Sequence, residues 1–163
     1  MHAVQAPVMV APKALAAHPV LMASDVAALS EDTRRRLRAG MARPGMPPVL
    51  LPADAPLLRS AQAVVGPHWH AVSMQASDYS VYVHASAAPI AVPGIRRPPV
   101  RLPSLAVPRI SRTHEIVTAH FVAWGIAWDV DIECLGGLEH PLCGDDILVH
   151  DLLRRLRRLE ATP

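Results

Sequence analysis

Two stretches of this chain place acid–base side chains at the spacing of a β-strand. In residues 126–134 (IAWDVDIEC), Asp129, Asp131 and Glu133 alternate with Trp128, Val130 and Ile132, so the carboxylates share the face opposite the apolar one. In residues 115–123 (EIVTAHFVA), Thr118 and His120 alternate with Val117, Ala119 and Phe121 in the same way. A tight hairpin through Trp124-Gly125 sets His120 opposite Asp129 and Thr118 opposite Asp131. An imidazole beside a carboxylate is the start of a general-base pair or a metal site, which makes His120, Asp129 and Asp131 the catalytic candidates. The same alternation also describes a solvated strand face.

Other reactive side chains offer less. His68 and His70 flank Trp69 and share one strand face. The trio resembles the H-x-H of the cupin family, but that pattern carries a glutamate four or five positions later, where this chain has Met74 and Gln75. The pair is therefore read as histidines at the edge of the core. His114, Glu115 and His120 lack the i, i+4 helical spacing of a zincin. No nucleophile-elbow, phosphate-loop or dinucleotide glycine pattern occurs. Cys134 ends the last predicted strand and Cys143 precedes the last predicted helix, with Gly136, Gly137 and Pro141 able to fold the loop back. A disulfide there is one reading, two free thiols a second, and a zinc site with His140 and His150 a third. No resident metal or other cofactor is called for.

The elements that must position these groups read as follows. Residues 68–87 form a first hairpin around Ser77-Asp78, with Val72 facing Val83, and residues 115–134 form the second. Met74, Val81, Ala85, Val117, Ala119, Phe121, Ile126, Trp128, Val130, Ile132 and Cys134 fall on the buried faces, and Ser73, Gln75, Ser80, Tyr82 and His84 on the other. Asp54, Pro56 and the stop at Gly66-Pro67 bound a helix over about 54–65, with Leu57, Leu58, Ala61, Val64 and Val65 on one side. A second helix, about 146–160, opens at Asp145-Asp146 and lines up Leu148, Leu152, Leu156 and Leu159. A surface helix capped by Ser24 or Asp25 runs to Ala39, with Gly40 as its stop. The fold class is α+β: an antiparallel sheet of two hairpins packed against the 54–65 and 146–160 helices. Residues 1–22 form an extended proline-rich arm, 23–163 a single domain, and 88–113 a long proline- and arginine-rich central loop with room for a short edge strand.

Composition narrows the function classes. The chain has 163 residues, which suits one core. Hydrophobic residues make up 51% but aromatics only 4%, and every ring lies between Trp69 and Trp128. A net charge of +2 is far from the basic surface that phosphate neutralisation needs, so nucleic acid is an unlikely partner. No run is long enough to span a bilayer, and Pro7, Pro12 and Pro19 interrupt any secretory leader, so no signal peptide is expected in this chain. A Cys134–Cys143 bridge would place the protein in the cell envelope or outside the cell, and free thiols in the cytoplasm. The arm conflicts with its own composition: Val8, Val10, Leu15 and Val20 are aliphatic where a disordered tail would be polar. These residues, with Arg96, Arg97 and Arg101 in the central loop, are the interaction candidates. The reading is a non-enzymatic interaction or assembly subunit, bound to a protein partner or to copies of itself. The alternatives are a metal-dependent or general-base hydrolase on the His120/Asp129/Asp131 face, and an anionic-ligand or nucleic-acid module using the 94–112 arginines.

Overall fold

The computed structural model describes residues 18–87, 108–137 and 139–160. Its elements in chain order are α1 (Ala23–Ala28), α2 (Glu31–Met41), β1 (Leu50–Pro52), α3 (Ala55–Arg59), β2 (Gln62–Val65), β3 (Trp69–Gln75), β4 (Tyr79–Ser86), β5 (Arg109–Thr113), β6 (Ile116–Ala123), β7 (Ile126–Cys134), α4 (Ile147–Arg155) and β8 (Leu156–Arg158). Six strands form one open antiparallel sheet in the order β2-β3-β4-β7-β6-β5, and β1 pairs with β8 in a separate two-stranded ribbon. The architecture is α+β, as the sequence suggests.

Both hairpins fall in the expected register. Val72 faces Val83 in the first, and His120 faces Asp129 and Thr118 faces Asp131 in the second. The alternating faces sort as predicted, with Met74, Val81, Ala85, Val117, Ala119, Phe121, Ile126, Trp128, Val130, Ile132 and Cys134 buried. The β6–β7 turn differs in one respect, because Trp124 (φ 54°) shares the left-handed conformation with Gly125 (φ 73°). A bulky residue resists that region. Here the indole meets Trp128 edge-on at 6.3 Å and His18 at 5.2 Å, contacts that offset the backbone cost.

Three helix assignments change. The 54–65 helix shortens to Ala55–Arg59, capped by Asp54, whose Oδ1 accepts the Leu57 N–H at 3.2 Å. Ser60 then redirects the chain: its Oγ donates to Leu57 O at 2.8 Å and accepts the Gln75 N–H at 2.7 Å. Residues 62–65 add to the sheet as β2, with Ala63 opposite Val72. The apolar positions at 61, 64 and 65 fit a helical stripe by coincidence, whereas branched Val64 and Val65 suit a strand. The 146–160 helix likewise ends at Arg155, and Leu156–Arg158 turn into β8 against Leu50–Pro52. The predicted 24–39 helix breaks at Leu29, which is buried, and restarts at Ser30, whose hydroxyl accepts the Thr33 N–H. Gly40 lies inside this second helix rather than beyond it: a Cβ there would come within 2.5 Å of Val65 Cγ1, so its smallness lets α2 lie against β2.

The helices and the β1–β8 ribbon cover one face of the sheet. Leu29, Leu37, Leu57, Leu58, Val149 and Leu152 supply the second layer of the core. The part of the N-terminal arm that the structure describes joins this layer. Leu21 is buried, its N–H donates to Arg158 O at 2.9 Å, and the Arg158 N–H donates to Pro19 O at 2.8 Å. Val20, one of the interaction candidates, bridges Arg158 and lines a shallow groove of about 260 Å³ with Leu21, Ala23 and Val26. Val8, Val10, Leu15, Arg96, Arg97 and Arg101 lie outside the described residues.

Candidate functional site

The other face of the sheet has no layer on it among the described residues, and it carries the catalytic candidates. Strand pairing extends them into rows that cross the sheet. One row runs Arg109, His120, Asp129, His84, Ala71 and Val64 across β5, β6, β7, β4, β3 and β2. The next runs Ser111, Thr118, Asp131, Tyr82, Ser73 and Gln62.

Asp129 is the hub of the first row. Its Oδ1 contacts Nδ1 of His120 on β6, and its Oδ2 lies 3.8 Å from Nδ1 of His84 on β4, so one carboxylate sits between two imidazoles. Thr118 Oγ1 donates to Asp131 Oδ1 at 2.5 Å, and the Tyr82 phenol donates to Glu133 Oε2 at 3.0 Å. That bond to a carboxylate raises the Tyr82 pKa above the ordinary phenol value. Trp69 lies beside His84 with ring centroids 6.1 Å apart.

The structure thus sets His120 against Asp129 and Thr118 against Asp131, the cross-strand pairs expected from the sequence, and adds His84 and Tyr82 to these two rows. Their outward orientation is legible in the 79–87 alternation. That β4 lies beside β7 is not, since no turn joins them and the pairing is set by how the hairpins pack.

Chemically, the His120–Asp129 contact can hold an imidazole in one orientation, as a general base requires. The setting is open, however: side-chain exposure is 52% for His120, 36% for Asp129 and 42% for His84. A group so hydrated gains little from its charged neighbours. Among the described residues, no cluster of three or more His, Cys, Asp or Glu side chains is arranged to hold a metal ion.

His68 and His70 do not form a pair. His68 is exposed, while His70 is wholly buried rather than at the edge of the core, with Nε2 2.9 Å from Pro48 O. Cys134 and Cys143 are within disulfide bonding distance, their Cα atoms 6.4 Å apart, and among the described residues His140 and His150 do not join them in a metal-holding cluster. Among the described residues, no helix is long and apolar enough to cross a membrane.

Comparison with known proteins adds no family to this picture. No protein-family model, curated protein or solved structure matches the chain.

Proposed function

We propose that this chain is a non-enzymatic interaction subunit of a larger protein assembly, and that the open face of the six-stranded sheet is its contact surface. The observation that carries the reading is one-sided packing. One face is buried under helices and the β1–β8 ribbon, while the other presents Val64 (60% exposed), Ile116 (40%) and Tyr82 (39%) among cross-strand polar pairs. The Tyr82–Glu133, Thr118–Asp131 and His120–Asp129 pairs already hold the polar side chains of this face, so less of their entropy remains to be lost when a partner docks. The aliphatic arm (Val8, Val10, Leu15) and the arginines of the central loop (Arg96, Arg97, Arg101) offer further contacts of the same kind.

A general-base hydrolase is the second reading, and it rests on Asp129 lying between His84 and His120. One experiment separates the two. The full chain is purified from the cells that make it under native conditions, its mass is measured by light scattering, and Tyr82→Glu and His120→Ala are run beside it. An interaction subunit gives a complex or homo-oligomer that Tyr82→Glu disperses while the variant stays folded by circular dichroism, its melting temperature lowered by the new carboxylate beside Asp131 and Glu133. A bare monomer that turns over ester or phosphoester substrates, and stops doing so in His120→Ala, overturns the proposal in favour of the hydrolase.

A further inference from the structure

His70 is a titratable group in the core, and no part of the proposed contact surface uses it. It projects from β3 with 0% exposure, and its Nε2 lies 2.9 Å from the carbonyl oxygen of Pro48. A carbonyl only accepts, so Nε2 carries the proton and the neutral ring keeps its lone pair on Nδ1. The bond ties the sheet to the segment 42–49, which runs without helix or strand from α2 to β1. That strap lies over the core, with Pro47 and Val49 buried.

A second proton on this ring has nowhere good to go. Nδ1 has no hydrogen-bond partner, and the neighbouring Trp128 indole, edge-on at 5.9 Å, offers an N–H that can only donate and is itself unpartnered. The facing positions on neighbouring strands are Val65 on β2 and Ala85 on β4, neither of them charged. The titratable group that acts on His70 is His84, beside Ala85, and its positive form opposes a second imidazolium. Burial, the largest influence, pushes the His70 pKa below the ordinary histidine value, against the smaller opposing effect of the Pro48 bond.

We propose that His70 is an acid-sensitive latch: the neutral ring fastens the 42–49 strap across the core, and protonation releases it. The direction follows from linkage. With the strap open, the ring meets water and takes up its proton near the ordinary value of about 6.5. With the strap closed, it takes up that proton only at lower pH. The closed form is therefore fully favoured above about pH 6.5 and loses ground as pH falls from there toward the folded-state pKa, by at most about tenfold per pH unit for one proton. A local opening of this kind needs far less than global unfolding.

Hydrogen exchange by mass spectrometry on the full chain, followed between pH 7.5 and 5 and corrected for the intrinsic rate, tests the latch. Peptides covering 42–52 lose protection toward acid by up to about tenfold per pH unit, while peptides from β6 and β7 do not. His70→Gln, whose amide can donate to Pro48 O without titrating, abolishes that pH dependence, and His84→Ala retains it. Because His70→Gln could fold poorly, the wild-type His70 ring is also titrated by NMR, and a pKa below the ordinary histidine value is expected. An ordinary pKa, a strap whose protection does not change down to pH 5, or a response that survives in a folded His70→Gln overturns the proposal.

Discussion

Phe121→Ala tests the register on which both the core and the open face depend. Phe121 is 7% exposed and stacks on Trp128, with ring planes 3° apart and centroids 6.0 Å apart. Truncating a buried phenylalanine costs about 3 to 5 kcal/mol through lost transfer energy and the cavity left behind. Because Phe121 keeps slight solvent contact, part of the cavity can fill with water, which places the expected loss at about 3 kcal/mol. A domain of this size holds about 5 to 15 kcal/mol, so the loss is large but survivable. With an m-value of about 2 kcal/mol/M, the urea midpoint should fall by about 1.5 M, read by far-UV circular dichroism because the stacked indole would confound fluorescence. Val122→Ala is the control. Val122 is half-buried on the open face, and its truncation should cost about 1 kcal/mol or less. A one-residue slip exchanges the two faces of a strand. If Val122→Ala proves the costlier change, or Phe121→Ala costs below about 1 kcal/mol, the β6 register is wrong and the row of His84, Asp129 and His120 falls with it.

Two further perturbations probe the frame around that sheet. Reducing Cys134–Cys143, or replacing both by serine, should cost about 2 to 3 kcal/mol on the chain-entropy estimate for so short a loop. Non-reducing peptide mapping of the protein from its native compartment should find the pair bonded, and two free thiols there would refute the linkage. Gly66→Ala should destabilise by about 1 to 3 kcal/mol, because the added Cβ would lie 2.1 Å from Trp69 Nε1 and force the indole aside. A neutral thermal melt for that variant would mean that Trp69 does not pack over Gly66.

Features that repeat over short range can be read from the residues alone. Period-two alternation and the Trp124-Gly125 turn settle the face and register of residues 115–134, because two residues at a hairpin tip leave one antiparallel pairing open to the arms. The carboxylate face, with His120 against Asp129, was legible for the same reason. Cys134 and Cys143 were close enough in sequence for their meeting to be foreseen as one of three outcomes. Features that depend on contacts between distant segments emerge with the packed fold. Gln62–Val65 and Leu156–Arg158 become strands because β3 and β1 offer open backbone partners, which outweigh a helical apolar stripe. Leu21 is drawn into the domain by a strand 137 positions away along the chain, beyond the reach of any local pattern. His84 joins Asp129, and His70 is sealed beneath the strap, through packing between segments that no short turn connects. Local periodicity fixes which way a side chain points, and the packing of whole elements fixes what it meets.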